Sequence, residues 1–387
     1  MNGAVAITGV GYSDAIGRDT GFSEGQLALQ ACRAAIADAG LEIADVDGLS
    51  MFPHRNSPPS PYAGPPLNYV QRSLGMRHLS WWQAYSGEHA QLGAMVGSMD
   101  ALAAGRCNHV VCYRAHLAQT RRYTVGGADP TQAFDEDEFA LPYGAGGGTA
   151  RGALWAARYM ARHDVSQVEL GSVSINGRAH AVHNPRAWWR TPVTIDDYLR
   201  SRWISTPLKL LDCDYPIDGA VAVVLSRGEA AASTRAPVWV EATGTGPGPA
   251  TDWITWPEKS EMAATHAAAK MWAQTALTPS DVDVAEVYDG FSFFTLMWLE
   301  ALGLAEVGRS GAWLLDGGGQ LDGSLPVNTD GGQLGVGRLH GFGKVAQAAL
   351  QLRGEAPNQV EGAAVAVASA GGGPLAVSML LTREPRS

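Results

Sequence analysis

The arrangement of apolar segments constrains the fold of this chain more than any other feature of its sequence. Short apolar runs alternate with helix-patterned segments over residues 4–115, and the alternation returns over residues 237–381. An apolar run without polar interruptions is typical of a strand that is buried on both faces, in a largely parallel sheet covered by helices. The sequence therefore predicts an α/β fold in which each half contains such a sheet.

The repetition of this pattern defines the expected domain organisation. The chain has 387 residues, which is more than one small hydrophobic core needs. We expect an N-terminal half over residues 1–235 and a C-terminal half over residues 236–387, arranged as a pseudo-dimer with the site between them. Residues 115–205 hold many arginine, histidine, tryptophan and tyrosine residues and are too long for a plain connection. We expect them to form an inserted loop-and-helix subdomain that covers the site.

The composition excludes several classes of function. The formal net charge is -10, which argues against nucleic acid or an anionic membrane as a main partner. No apolar run approaches the length of a membrane span, and the N-terminus lacks the basic region of a signal peptide. The four cysteines show no CxxC spacing and are expected to be small buried thiols. We therefore expect a cytoplasmic protein.

Two segments carry the polar residues of a candidate active site. Residues 328–344 read NTDGGQLGVGRLHGFGK, and their six glycines allow a backbone to approach a ligand closely. This segment places Arg338 two residues before His340. Residues 287–294 read VYDGFSFF and put Tyr288 beside Asp289 in apolar surroundings. We expect the two segments to form two walls of one site.

A set of ordered motifs supports a resemblance to a known superfamily. The motifs are AYSG at 84–87, PLKLLDCDYPIDGAVAVVL at 207–225, VYDGFS at 287–292, NTDGGQLGVGRLHG at 328–341 and SAGGGP at 369–374. Their order and spacing resemble the thiolase superfamily, and within it the sterol-carrier-protein thiolases and lipid-transfer proteins. The resemblance covers nearly the whole chain. It implies a five-layer αβαβα fold with two pseudo-repeated halves, an acyl-CoA substrate and a homodimer.

The catalytic positions of the thiolase pattern are altered in this chain. Ala84 stands where a thiolase has its nucleophilic cysteine, and Ser369 or Ala370 stands where it has the second cysteine. Tyr288 replaces the asparagine or histidine of the NEAF or HDAF motif, and Arg338 replaces the histidine of the GHPxG motif. Acyl transfer through sulfur needs a thiolate. We therefore expect the thiolase reactions to be absent.

Carbon–carbon cleavage is the chemistry that such a pocket still supports. A site that stabilises the enolate of an acyl-CoA also stabilises the leaving fragment of a retro-aldol reaction. That reaction needs a base for the β-hydroxyl group, a stabilised thioester oxygen and an acid for the enolate carbon. It needs no nucleophile, so the loss of the cysteines does not prevent it.

The YDGFS and GQLxxGxxHG motifs are most similar to those of the lipid-transfer-protein aldolases of steroid side-chain degradation. Some members of that group have a second tyrosine where this chain has Arg338. The resemblance implies cleavage of a 17-hydroxy steroid CoA ester to a 17-ketosteroid and propionyl-CoA. It also implies a separate partner, a DUF35 protein with an OB-like domain, and no cofactor beyond the coenzyme A of the substrate.

Four polar residues are candidates for this catalysis. Tyr288 is the first candidate for general base or acid, and it needs a cation or donor nearby because a phenol has an ordinary pKa of about 10. The alternative is a tyrosine buried for packing. Arg338 either supplies that charge and binds the oxyanion, or pairs with an acid such as Asp330. His340 protonates the enolate, binds the thioester oxygen or is structural. Asp289 either orients a partner or accepts hydrogen bonds from turn amides.

A second group of residues is predicted to bind the substrate or to shape its pocket. Tyr85 and Ser86 lie in the former nucleophile turn, and Ser86 has no Ser-His-Asp constellation that would make it a nucleophile. Asn328 is expected to shape the glycine-rich loop. The backbone amides of Gly371, Gly372 and Gly373 are expected to hold the enolate.

Two other functions stay open at this stage. A non-catalytic acyl-CoA or lipid carrier, serving as a scaffold in a DUF35 complex, would also lack the thiolase cysteines. A residual thiolase or acyltransferase would need a cysteine from elsewhere, such as Cys213. A metal site is not expected, because His180 and His183 have no third ligand at a suitable spacing.

Overall fold

The chain folds into eleven strands and twelve α-helices within the residues that the structure describes. The computed structural model describes residues 4–52, 64–85, 90–118 and 138–386. In chain order, the strands are β1 (Val5–Tyr12), β2 (Gly48–Met51), β3 (Trp81–Ala84), β4 (His109–His116), β5 (Trp203–Ser205), β6 (Leu208–Lys209), β7 (Gly219–Arg227), β8 (Val238–Pro247), β9 (Val284–Glu286), β10 (Val365–Gly372) and β11 (Leu375–Thr382).

The helices lie mainly between these strands. In chain order, they are α1 (Glu24–Asp38), α2 (Leu67–Leu74), α3 (Gly93–Ala103), α4 (Gly147–His163), α5 (Gln167–Ala181), α6 (Ile195–Arg200), α7 (Gly228–Ala231), α8 (Ala264–Trp272), α9 (Ser292–Ala301), α10 (Ser310–Leu315), α11 (Gly332–Gly335) and α12 (Gly341–Arg353).

The two halves of the chain repeat one strand order. The N-terminal strands pair in the order β3-β2-β4-β7-β1, with β2 parallel to β3 and β4, and β7 antiparallel to β4 and β1. The C-terminal strands pair in the order β9-β10-β11-β8, one parallel pair followed by two antiparallel pairs, which matches the order β2-β4-β7-β1. A parallel bridge from Val327 to Ala285 of β9 lies where β3 would lie beside β2. This repeat confirms the prediction of two pseudo-repeated halves.

The two sets of strands meet at one seam. Two residue pairs join β1 to β8, Ala6 with Trp239 and Ile7 with Val238, so the described strands form one nine-stranded sheet. Along the chain, the last strand of the first set is β7, which ends at Arg227, and the first strand of the second set is β8, which begins at Val238. The boundary at residue 235 stays a prediction.

Helices cover these strands in layers. α1 and α2 pack on the N-terminal strands in a separate core cluster, whereas α3 belongs to the main core. α12 contacts β1 and β7 of the first half as well as β9 and β10 of the second, and α8 contacts β8 and β11. The central position of α12 therefore gives the predicted αβαβα order of layers, and its N-terminal end brings the glycine-rich segment to the junction of the halves.

Close packing of α1 depends on two glycines in β1. A Cβ atom on Gly9 or Gly11 would overlap the backbone of α1 at Ala35 or Ala31. The helix itself begins with a capping box, in which Ser23 and Gln26 satisfy each other's backbone amides. The glycines of the first apolar run are thus explained by a helix that lies directly on the strand.

The region between β4 and β7 contains α4, α5, α6 and the small sheet of β5 and β6. Its strongest link to the rest of the fold is α5, whose buried polar side chains hold the glycine-rich segment. Asn176 donates to the carbonyl oxygen of Val327 at 2.9 Å, and Arg178 donates to that of Leu334 at 3.2 Å. Of the helices in the described residues, none is long and apolar enough to cross a membrane.

Candidate active site

The VYDGFS segment is the turn that joins β9 to α9. The backbone amide of Tyr288 donates to the hydroxyl oxygen of Ser369 at 3.0 Å, and Ser369 is fully buried in β10. Ser369 is one of the two residues at the second thiolase cysteine position. The structure therefore places the backbone of Tyr288 directly beside Ser369.

The phenol of Tyr288 lies at the boundary between the two halves. Its hydroxyl oxygen accepts a hydrogen bond from the amide Nε2 of Gln91 at 3.3 Å, and the residue is 6% exposed. Gln91 belongs to the first half, just before α3. The ring packs near Phe294 at a centroid distance of 5.9 Å. An amide donor at the phenol oxygen stabilises its deprotonated form.

Asp289 faces away from this phenol and forms a buried ion pair. Its Oδ1 lies 2.7 Å from Nζ of Lys344, and both side chains are 2% exposed. Its Oδ2 accepts a hydrogen bond from the backbone amide of Leu334 at 3.3 Å. Asp289 therefore ties the β9 turn to α11 and α12, and its predicted catalytic role stays a prediction.

Arg338 also forms an ion pair, with Asp214 and not with the predicted Asp330. Its Nε donates to Oδ2 of Asp214 at 2.8 Å, and a terminal nitrogen contacts the other carboxylate oxygen. Its backbone amide donates to the carbonyl oxygen of Tyr215 at 2.8 Å. The specific partner was wrong because residues 207–225 approach the glycine-rich segment, a proximity that the linear spacing does not reveal.

His340 has an unusual backbone conformation. Its φ of 54° and ψ of -163° fall in a region that is essentially reserved for glycine and costs about 1–3 kcal/mol for other residues. It precedes the first turn of α12, and a Cβ atom on the following Gly341 would overlap Ala370. This strain is retained because the loop is held against both β10 and the first half.

The imidazole of His340 is surrounded by positive charge. Its Nδ1 accepts a hydrogen bond from Nε of the fully buried Arg114 at 3.0 Å. Burial, followed by the charges of Arg114, Arg338 and His116, holds the pKa of His340 well below its usual value. His116 donates from Nδ1 to the carbonyl oxygen of Ile217 at 2.7 Å, and burial lowers its pKa to about 3. Both imidazoles are therefore neutral at physiological pH.

The glycine-rich loop is anchored at Asn328. This residue has a φ of 52°, and its backbone carbonyl accepts hydrogen bonds from His180 Nδ1 at 3.1 Å and from the amide of Gly331 at 2.9 Å. Asn184 holds the carbonyl of Asp330 at 2.8 Å. The predicted shaping role of Asn328 fits this geometry. His180 serves the loop as a hydrogen-bond donor, and the described residues contain no cluster that could hold a metal.

A buried group of carboxylates lies behind the loop. Glu286 accepts a 3.0 Å hydrogen bond from the amide of Thr329, and burial together with the charge of Asp330 raises its pKa to about 8. Burial also raises the pKa of Asp330, while Lys344 lowers it. Lys344 is thus the cation that the buried carboxylates share, in addition to its ion pair with Asp289.

The three glycines that were predicted to hold the enolate are closely packed or have a positive φ. Gly371 and Gly373 have φ values of 86° and 63°, and the carbonyl of Gly371 accepts from Trp298 Nε1 at 2.8 Å. A Cβ atom on Gly372 would overlap the ring of Phe294, which itself lies against Tyr288. The enolate-binding role of these amides stays a prediction.

Tyr85 is buried beside Phe52, with the ring centroids 6.3 Å apart, and its hydroxyl lies close to Gly93 at the start of α3. Ser86 lies outside the described residues. The former nucleophile turn therefore contributes Tyr85 to the wall next to Phe52, whose ring also lies 6.1 Å from that of His340.

The thiols do not replace the missing nucleophile. Three of the four free cysteines are buried, and Cys213 is partly exposed, contrary to the prediction for that residue. Cys213 pairs with Phe291 in an isolated bridge, but its Sγ is directed at the carbonyl oxygen of Lys209, 3.5 Å away. Burial and the charges of Asp212 and Asp214 raise the pKa of this thiol. A thiolate is therefore disfavoured here.

Sequence reasoning missed the residues that support this site. Gln91, Arg114, His116 and Lys344 were not among the candidates. Arg114 follows the apolar run of β4, and a charge at such a buried position must find a partner. That rule was the available signal for Arg114, whereas nothing in the sequence distinguishes Gln91.

Comparisons of the sequence with known proteins identify a matching family and two similar proteins. Residues 252–382 match the family described as thiolase C-terminal domain-like. The 17-hydroxy-3-oxo-4-pregnene-20-carboxyl-CoA lyase of Mycobacterium tuberculosis is 35% identical across 96% of this chain and 97% of that protein. A steroid side-chain-cleaving aldolase of Thermomonospora curvata is 35% identical across 93% of each chain.

A comparison with solved structures also finds a similar protein. The Ltp2-ChsH2(DUF35) aldolase superposes with a TM-score of 0.87 and 32% identity over 98% of both chains. The fold and the altered catalytic positions define a thiolase-superfamily protein that has lost the thiolase cysteines. Within that superfamily, the chain belongs to the family of the steroid side-chain-cleaving aldolases.

Proposed function

We propose that this protein catalyses the retro-aldol cleavage of a β-hydroxyacyl-CoA, namely a 17-hydroxy steroid side-chain CoA ester. One observation carries the proposal: Tyr288 lies against Ser369 at a former thiolase position, where no cysteine remains. The names of the two relatives support the substrate class. The products are a 17-ketosteroid and propionyl-CoA.

The reaction follows from the groups at the site. Tyr288, as the phenolate stabilised by the amide of Gln91, accepts the proton of the 17-hydroxyl group. The oxygen becomes a carbonyl as the bond between C17 and the α-carbon breaks, and the electron pair moves onto the thioester as an enolate. His340 and backbone amides near Gly371 to Gly373 stabilise the enolate oxygen. Protonation of the α-carbon then releases propionyl-CoA, and the phenol of Tyr288 is the nearest proton source in this scheme.

A matched pair of tyrosine variants tests the proposal. The substrate is 17-hydroxy-3-oxo-4-pregnene-20-carboxyl-CoA, and propionyl-CoA is quantified by chromatography. Tyr288→Phe removes the base, so we expect kcat to fall by at least about 100-fold. Tyr113→Phe removes an equally buried hydroxyl, one that donates to Pro65 in the core under α1 and α2, and is expected to keep the parent kcat. Cleavage by Tyr288→Phe at the parent rate would show that the assigned base is wrong.

The second part of the proposal concerns partners. The similarity to an Ltp2-ChsH2(DUF35) aldolase supports a hetero-complex with a DUF35 protein of OB-like fold. Assays are therefore run with and without a co-expressed DUF35 protein. A complex that elutes together in gel filtration and raises the cleavage rate is the expected result. Equal rates and separate elution would remove this partner from the proposal.

A homodimer through β3 completes the proposed assembly. Within the described residues β3 is an edge of the sheet, and Trp82 on it is 62% exposed. An exposed edge strand with a large apolar side chain is a template for pairing with another chain. Trp82→Lys is expected to shift the molar mass measured by light scattering from dimer to monomer. A dimer that persists unchanged would place the interface elsewhere.

The proposed reaction uses no cofactor, because the coenzyme A is part of the substrate. All four cysteines are free thiols, which is typical of a reducing compartment and supports a cytoplasmic location.

A further inference from the structure

Arg114 determines which nitrogen of His340 carries a proton. The guanidinium Nε of Arg114 lies 3.0 Å from Nδ1 of His340. An arginine side chain offers only donors, so Nδ1 must be the acceptor of this hydrogen bond. In the neutral imidazole the proton is consequently on Nε2. The tautomer is therefore read from the identity of the partner and not from an assumed hydrogen position.

The side chain of Arg114 has contacts on several sides. The residue lies in β4 of the first half and is fully buried. A terminal nitrogen of its guanidinium also contacts the carbonyl oxygen of Ala115, and the guanidinium carbon lies 5.9 Å from the ring centroid of Phe52. A buried guanidinium that is held in this way has little freedom to leave the imidazole. Its side chain therefore acts across the junction of the two halves.

Among the described residues, the neighbouring titratable groups have partners of their own. His116 of β4 uses its own Nδ1 on Ile217, and Arg338 is paired with Asp214. His340 lines a small cavity together with three further titratable residues, Tyr12, Asp330 and Lys344. Lys344 is paired with Asp289 and is close enough to lower the pKa of Asp330.

We propose that Arg114 is a positioning residue that locks His340 in its Nε2–H form, so that a neutral N–H group is presented to the thioester oxygen. This inference rests on the proposed function and adds a residue to it. The imidazole donates a hydrogen bond and loses no proton during cleavage. The opposite tautomer would direct a lone pair at the developing enolate oxygen and would repel it.

The kinetic test compares variants with the parent as a function of pH. Arg114→Met keeps most of the side-chain volume and removes the donor, whereas Arg114→Lys keeps a cationic donor. The ratio of kcat in each variant to kcat in the parent is measured from about pH 5.5 to about pH 8.5 with the same CoA ester and a co-expressed DUF35 protein. We expect Arg114→Met to lose about 100-fold, the usual effect of removing one oxyanion donor.

Rescue by the conservative variant separates positioning from structure. Without Arg114, one of the charges that lower the pKa of His340 is gone, but burial and the charges of Arg338 and His116 still favour the neutral imidazole. The ring in Arg114→Met is then neutral without a fixed tautomer, so the deficit should persist across the pH range, whereas Arg114→Lys should recover part of the activity throughout. Equal losses in the two variants would overturn the proposal.

Two further measurements keep the test decisive if Arg114→Met is unstable. The double variant Arg114→Met/His340→Gln should be no slower than His340→Gln alone, since Arg114 acts through the imidazole. Nitrogen-15 spectra of histidine-labelled parent protein, with His340 assigned by His340→Gln, should show a protonated Nε2 and an unprotonated Nδ1. A protonated Nδ1 would overturn the proposal. An Nε2–H spectrum in a protein that fails to cleave the ester would uphold the tautomer and refute the proposed function.

Discussion

Removal of the buried cation Lys344 should destabilise the protein more than removal of its partner Asp289. The two groups are 2.7 Å apart and each side chain is 2% exposed. Removing one member of a buried ion pair typically costs about 3–5 kcal/mol, because the other charge is left uncompensated. Lys344→Met keeps the aliphatic stem and leaves Asp289 unpaired, with Asp330 and Glu286 also losing their nearby cation.

Asp289→Asn leaves a milder defect. Lys344 still has the carboxyl group of Asp330 close by, so its charge remains partly compensated, whereas Glu286 is protonated below its pKa of about 8. We therefore expect a loss of about 3–5 kcal/mol for Lys344→Met, a smaller loss for Asp289→Asn, and partial recovery in the double variant. For 387 residues and an unfolding entropy of about 2.1 cal/mol/K per residue, a loss of about 4 kcal/mol lowers the Tm by about 5 °C.

The assay is urea unfolding followed by tryptophan fluorescence, combined with scanning calorimetry. Lys270→Met is the matched control, because Lys270 is exposed in the last turn of α8 and should change stability by no more than about 0.5 kcal/mol. The reasoning fails if Lys344→Met costs no more than Lys270→Met. It also fails if Asp289→Asn is the more damaging of the two core variants.

Three further predictions concern other parts of the core. Burial raises the pKa of Glu286 to about 8 in the folded protein, whereas the unfolded chain releases this proton at the ordinary glutamate pKa of 4.5. Stability therefore falls as the pH rises between these two values, by at most about 1.4 kcal/mol per pH unit. Glu286→Gln removes this slope. In urea unfolding, the free energy of unfolding of the variant relative to the parent should therefore be higher at about pH 8 than at about pH 5. The same difference at both pH values would contradict the assignment. Gly341→Ala should lower both Tm and kcat, because its Cβ atom overlaps Ala370. Gly343→Ala should be tolerated, because the nearest neighbour of its Cβ atom is 3.6 Å away. Equal effects of the two variants in melting and cleavage assays would count against the packing argument. Cys213 should react slowly with iodoacetamide and without loss of activity, because its pKa is raised. Rapid inactivation, with mass spectrometry showing modification at this residue, would support the thiolase alternative instead.

The outline of the fold could be predicted because it depends on local patterns. Unbroken apolar runs such as that of β7 are buried along nearly their whole length, and Ser23 with Gln26 marked the start of α1. The motifs also located Tyr288 and His340, because a polar residue within a glycine-rich or apolar segment is noticeable in one dimension. The length of β9, only Val284–Glu286, could not be read from the apolar run that contains it.

The supporting residues could not be predicted, because their roles depend on contacts between distant parts of the chain. Arg114 and His340 are 226 positions apart, and Gln91 and Tyr288 are 197 apart. The choice of Asp214 rather than Asp330 as the partner of Arg338 is likewise a tertiary outcome. Periodicity reports which face of an element is buried, but not which side chain it will meet there.

The repeated strand order has a consequence for how this enzyme tolerates motion. Two hydrogen bonds, Gln91 to Tyr288 and Arg114 to His340, stretch from one repeat to the other at lengths of 3.3 and 3.0 Å. A hydrogen bond at about 3.6 Å has lost its defined geometry. A relative shift of the repeats by less than one ångström would therefore lengthen both hydrogen bonds beyond this distance at once. The contacts of Tyr288 and His340 with the first half thus depend on a close alignment of the two repeats.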